Sequence, residues 1–178
     1  SLGYRGFDGG GGYTYADMDG NTTIITRAAD MAASKGIVVV NSAGNDGPAK
    51  MLAPSDGDSV ISVGAVNVNR TISGFSSQGP SYDQRIKPDI SAMGEGTAFV
   101  RPEGTLAVGN GTSFSCPVSS GMIACLVQAA PLATNMEIYR ALIQSADRYE
   151  NPDTFYGYGI PSGPEAYRIL TGEKLTGV

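Results

Sequence analysis

The sequence predicts an α/β domain built on a mainly parallel sheet flanked by helices. Two runs, Ile37-Val38-Val39-Val40 and Val60-Ile61-Ser62-Val63-Gly64-Ala65-Val66, are almost continuously apolar and rich in β-branched residues. Strands buried on both faces of a parallel sheet read in this way. The first run follows a helical pattern across one short glycine turn, which makes a helix–turn–strand unit. At 178 residues, with 41% hydrophobic and 16% charged side chains, the chain is long enough to enclose one real core. No internal repeat or linker divides it.

Taken in order, Ser1 to Tyr4 reads as the end of a strand or the loop after it, and Phe7 to Gly12 as a glycine-dominated surface excursion. Asp17, Asp19 and Asn21 have the spacing of a calcium loop's first ligands. The sixth position of such a loop lacks its glycine and Ala28 stands at the twelfth, so a polar turn capping the next helix is the plainer reading, with calcium the alternative. Thr22 or Thr23 caps a helix running to about Ser34, whose apolar faces come from Ile24, Ile25, Ala28, Ala29, Met31 and Ala32. Gly36 ends it. The Ile37–Val40 strand opens into Asn41-Ser42-Ala43-Gly44-Asn45-Asp46-Gly47. Val60–Val66 is the second strand and Lys87–Gly94 contains a third, shorter one. Residues 95 to 108 form a β-hairpin. Beyond a long apolar helix, Thr134 or Asn135 caps another helix to about Ala146, Tyr156–Pro161 turns, and Gly163–Leu170 is a final short helix.

The net charge of −5 and the lack of a Lys/Arg cluster argue against a nucleic-acid surface. No apolar run approaches the ~18 residues needed to span a membrane. Cys116 and Cys125 lie on opposite faces of one helix, about 13 Å apart along its axis, so they cannot bond to each other. Both read as buried free thiols. No Cys/His cluster points to zinc, and no metal site is expected beyond that calcium alternative.

The chemistry concentrates in Gly109-Asn110-Gly111-Thr112-Ser113-Phe114-Ser115-Cys116-Pro117-Val118-Ser119-Ser120-Gly121. Small residues before Ser113 let the backbone turn tightly. Pro117 fits the first turn of a helix, where its missing N–H is not needed. Ser113 therefore falls at or just before a helix N-terminus, where free N–H groups and the helix dipole favour a developing oxyanion. On its own this pattern is also that of an ordinary serine cap. It is not the Gly-x-Ser-x-Gly elbow, because Ser115 stands where the second glycine belongs.

The stretch Asn110–Pro117 resembles the Gly-Thr-Ser-Met-Ala-x-Pro signature around the nucleophile of subtilisin-like serine proteases, the subtilases, with Phe114 in place of the usual Met. Other segments resemble the family in the same order. Ile37–Gly47 is similar to the strand ending Ala-Ala-Gly-Asn, and Val60–Val66 to Val-Ile-x-Val-Gly-Ala. Phe75–Gly79 and Lys87–Ile90 resemble the segments leading to the nucleophile, and Tyr158–Pro161 the closing Gly-x-Gly-x-Pro turn. The resemblance implies a three-layer subtilisin-like fold, its mainly parallel sheet flanked by helices and incomplete at its N-terminal side. It implies that Ser113 is the nucleophile and that the Asn45 amide shares the oxyanion hole with the Ser113 N–H. It implies that Ser1, Leu2 and Gly3 pair with an extended substrate and wall its specificity pocket. Ala43 and Gly44 form the opposite wall, Leu52 lies near the floor, and Thr112, beside the nucleophile, is also substrate-binding. The substrate is then a peptide or protein, and the location secreted or periplasmic.

The chain contains no histidine, although a serine nucleophile needs an adjacent base. The subtilase order is Asp, His, Ser, so the resemblance places both missing partners upstream of Ser1. The expectation is a partial catalytic domain, residues 1–178, inactive alone, that partners with its missing N-terminal part. It would expose an apolar sheet edge near Ile37–Val40 that recruits a second copy. A non-catalytic peptide-binding module is the alternative. A Ser–Lys hydrolase ranks last, since Lys35, Lys50, Lys87 and Lys174 sit in no motif.

Overall fold

The computed structural model describes residues 1–48 and 51–173. Three parallel strands form the central sheet in the order β1 (Val39–Ser42), β2 (Val60–Val66), β3 (Ile90–Met93). The register pairs Val40 with Ile61 and Gly64 with Ser91. β2 is buried along its whole length, which is why its sequence shows no polar alternation. β1 starts two residues later than the apolar run predicts and ends on Asn41 and Ser42. Pairing with Ser62 and Val63 decides its extent, and Ile37 is left 56% exposed.

Helix α1 (Ile24–Ser34) is capped by Thr23, whose hydroxyl accepts from the Thr26 N–H. Against expectation, Ile24 and Met31 of this helix are exposed. α1 instead buries Thr26 and Ala33, because Thr26 donates to the buried Asp56 carboxylate at 2.6 Å. A hairpin of β4 (Thr97–Val100) and β5 (Leu106–Gly109) leads into α2 (Thr112–Ala129). α3 (Asn135–Gln144) and α4 (Gly163–Thr171) follow. Ile61, Val63, Ile90 and Ala92 of the sheet pack with Cys116, Ile123 and Leu126 of α2, with Ile138, Ala141 and Leu142 of α3, and with Ala166 of α4. α1 rests on β1 and β2 and adds nothing to that cluster, which places it on the other face and makes three layers. Cys125 is exposed, contrary to the reading of two buried thiols: α2 is apolar all round, but only one side of it meets the sheet.

A buried ion pair closes the sheet's N-terminal edge. Lys87 Nζ lies 2.7 Å from Asp89 Oδ2, both side chains 2% exposed, and it also donates to the Val60 carbonyl at 2.9 Å. Asp89 accepts from the Ser62 N–H at 2.7 Å and from the Tyr139 hydroxyl at 2.6 Å. Every charge there is paired and hydrogen-bonded, the condition for a charge to tolerate burial. Burial, and then the Asp89 charge, push the Tyr139 phenol well above its ordinary pKa.

Candidate active site

The nucleophile, oxyanion and substrate-facing residues that the sequence singled out gather at the opposite, C-terminal edge of the sheet, where open α/β sheets bind ligands. Beyond β1, the Ala43 N–H still donates to the Val63 carbonyl at 2.9 Å, and the chain then turns through Gly44 and Asn45. Beyond β3, the Gly94 carbonyl accepts from the Gly111 N–H at 2.7 Å. The ends of two strands thus fix the Asn45 turn and the start of α2.

Gly111 is the residue before α2, with φ 151°, a conformation that strains any side-chain-bearing residue. Ser113 is the second residue of the helix. Because α2 begins at Thr112, Pro117 stands in the second turn rather than the first. Its ring nitrogen cannot donate to the Ser113 carbonyl, which the Ser1 hydroxyl meets at 3.5 Å. Ser113 is exposed, and among the described residues no hydrogen bond engages its hydroxyl.

Asn45 is held by Thr112. The Thr112 N–H donates to Asn45 Oδ1 at 2.8 Å and the Thr112 hydroxyl donates to the same oxygen at 2.9 Å. That hydroxyl in turn accepts from the Gly44 N–H at 3.3 Å. A backbone N–H can only donate, so the bonded end of the amide is its oxygen and the free end is Nδ2. A methyl group placed on Gly111 would lie 3.6 Å from Asn45 Nδ2 and 3.7 Å from the Ser113 nitrogen. Two N–H donors therefore border one small space beside an exposed serine, at the positive end of an 18-residue helix. Donors so placed stabilise an oxygen that gains negative charge.

The remaining named residues pack around Leu52 beside this corner. A methyl group on Gly3 would lie 3.1 Å from Leu52 Cβ, and one on Gly44 3.1 Å from Leu52 Cδ1. Leu52 thus sits between the two glycine-bearing segments. Ser1, Leu2 and Gly3 are exposed and outside any strand, and the Tyr4 N–H donates to the Ala53 carbonyl at 3.2 Å. Ala43 is fully buried. Thr112, named among the substrate-facing residues, is 1% exposed and turns its hydroxyl inward to Asn45. That inward role was missed, as was the ion pair between Arg5 and Asp46, residues just beyond Gly3 and Asn45. No local sequence signal marks a partnership between residues so far apart in the chain.

The carboxylates of the calcium alternative are engaged locally. Asp17 accepts from the Thr14 N–H at 2.7 Å, while Asp19 accepts from the Asn21 and Thr22 N–H groups at 2.9 and 2.8 Å. Among the described residues no three His, Cys, Asp or Glu side chains group to hold a metal. Of the lysines, Lys87 is bound to Asp89 and Lys35 caps α1; Lys50 and Lys174 lie outside the described residues.

A sequence model of the subtilase family matches residues 1–159. This chain belongs to the subtilase family. Among curated relatives, the subtilase chain is 33% identical to serine protease AprX of Bacillus subtilis, over 76% of this chain and 36% of that protein. It is 33% identical to the membrane-bound transcription factor site-1 protease of Mus musculus, over 78% of this chain and 14% of that protein. With subtilisin E of Bacillus subtilis the identity is 32%, over 78% and 36%. The subtilase chain thus spans about a third of the length of the bacterial relatives. The prenylagaramide maturation protease PagA superposes with a TM-score of 0.73 at 25% identity, covering 83% of this chain and 55% of that one. The patellamide maturation protease PatA does so with 0.73 at 25%, covering 88% and 60%. The mixed architecture with a parallel sheet is therefore the subtilisin fold. Among the described residues no helix is long and apolar enough to cross a membrane.

Proposed function

We propose that these 178 residues are the nucleophile-bearing part of a secreted or periplasmic serine endopeptidase. Ser113 attacks the scissile carbonyl of a peptide or protein, forming an acyl-enzyme. Asn45 Nδ2 and the Ser113 N–H hold the oxyanion of the tetrahedral intermediate. The observation that carries the reading is the placement of those two donors around one space next to an unencumbered serine hydroxyl. The base that activates Ser113 is a histidine oriented by an aspartate, both on an upstream segment, since the chain itself has no histidine. That segment also covers β1, whose outer edge pairs with no strand among the described residues. It covers the free side of α2 as well, where Val118 is 52% and Val127 43% exposed. The extended substrate lies along Ser1–Gly3, with one side chain entering over Leu52 between Gly3 and Gly44.

A phosphonylating serine probe tests this on the full-length protein, read by mass spectrometry together with peptide hydrolysis. The expected result is modification at Ser113 and cleavage in the full-length protein, with neither in the 178-residue chain. Ser113→Ala in the full-length protein lowers kcat by roughly 10⁶-fold and leaves peptide affinity unchanged. A full-length protein that binds peptides without labelling or turnover overturns the endopeptidase reading in favour of a peptide-binding module.

A further inference from the structure

The segment Phe75–Gly79 carries no part of the chemistry proposed above, yet it meets the Asn45 turn at three points. Ser77 is fully buried, so no substrate touches it. Its N–H donates to the Gly44 carbonyl at 2.9 Å, and its hydroxyl oxygen accepts from the Asp46 N–H at 3.1 Å. The first bond holds the peptide plane before the Asn45 Cα, and the second holds the plane after it. Peptide units are planar, so each residue has only two soft backbone torsions, φ and ψ. Holding both flanking planes therefore fixes both torsions of Asn45. The approach is close: a methyl group on Gly44, whose φ is 116°, would lie 2.8 Å from Ser77 Oγ. At the third point the Gly47 N–H donates to the Phe75 carbonyl at 2.9 Å. Ser77 is in turn held from the sheet. Ser76 Oγ accepts from the Ala65 N–H at 3.0 Å, and the Ser73 N–H donates to the Ala65 carbonyl at 2.9 Å. Ala65 belongs to β2, the strand buried along its whole length.

We propose that Ser77 is a positioning residue for the oxyanion: by clamping the backbone on both sides of Asn45, it sets where Asn45 Nδ2 stands relative to the Ser113 N–H. The inference rests on the endopeptidase reading and adds to it a residue that acts only through Asn45. Thr112 ties the far end of the side chain, Oδ1. With that end alone tied, the residue pivots about its oxygen and Nδ2 swings away from the space beside Gly111. A second attachment at the backbone removes the pivot. A donor helps most when it is in place before the charge develops. The ground-state carbonyl is uncharged and gains little from it, so losing the position falls on kcat rather than on KM.

The test is a double-mutant cycle on the full-length protein, read as kcat and KM on one peptide. A phosphonylating serine probe titrates the active fraction, so that kcat refers to folded enzyme alone. Ser77→Ala removes the acceptor of the Asp46 N–H and is expected to lower kcat about tenfold, with KM near the wild-type value. Ser77→Cys, whose sulfur is a weak acceptor, falls between the two. In an Asn45→Ala background the same Ser77→Ala change is expected to alter kcat less than about twofold, because the amide it positions is gone. An unchanged kcat in Ser77→Ala, a rise in KM alone, or an equal loss with and without Asn45 overturns this inference and leaves the endopeptidase reading standing. A wild type that neither takes the probe nor cleaves the peptide overturns both.

Discussion

Asn45 does its proposed work only because another residue points it. Its oxygen is tied twice by Thr112, so the amide cannot flip and its nitrogen stays toward Gly111. Asn45→Ala in the full-length protein should lower kcat by roughly 10²–10³ with little change in KM, the loss known for the corresponding asparagine of subtilisin. Thr112→Val keeps the backbone bond and removes the hydroxyl. It should lower kcat about tenfold, the worth of one good hydrogen bond, again with KM near the wild-type value, and Thr112→Ser should restore it. A variant that raises KM alone would place Thr112 on the substrate instead. Ser113 and Asn45 were singled out through the resemblance of Asn110–Pro117 and Ile37–Gly47 to subtilase segments, since alone the first reads as a helix cap and the second as a turn residue. The bond between Thr112 and Asn45 was not, since nothing in either motif states which way the side chains face.

Elements were legible in proportion to how far their own residues determine them. Val60–Val66 reads residue for residue as β2, because burial on both sides leaves only apolar and small residues possible. β1 slips along its apolar run because its partner decides where the ladder starts, and a solvated Ile37 looks the same in sequence as a buried one. α3 was recognisable from its cap. The Thr134 hydroxyl accepts from the Glu137 N–H at 3.2 Å and the Glu137 carboxylate accepts from the Thr134 N–H at 2.7 Å. Thr134→Ala should cost about 1 kcal/mol by thermal denaturation. The Thr134 N–H, and then its hydroxyl, hold the Glu137 carboxyl below the usual range. A carboxylate lowered in the folded state adds stability above its unfolded pKa and loses it as pH falls through the folded value. The melting difference between wild type and Glu137→Gln should therefore shrink as the solution is acidified below about pH 4, and a difference independent of pH would remove the carboxylate from the cap.

At the scale of the whole molecule, the proposal that an upstream segment completes the domain has a physical corollary. β1 offers an unpaired edge among the described strands, and Leu2, Val118 and Val127 present apolar surface. Edges and patches of this kind recruit partners. The isolated chain should dimerise through the β1 edge, exchange elements or aggregate, and supplying the upstream segment should relieve this. Light scattering that finds a dilute, stable monomer would refute it.

The pair at the sheet's other edge speaks to how this chain can change over generations. Losing either Lys87 or Asp89 alone strands the remaining charge in the core, at a cost of roughly 3–5 kcal/mol, comparable to the whole margin of many domains. Replacing both together by well-packed apolar residues leaves no charge stranded. Any route from this sequence to an uncharged version thus crosses a valley that single substitutions cannot walk through, and the pair behaves as a ratchet on the lineage.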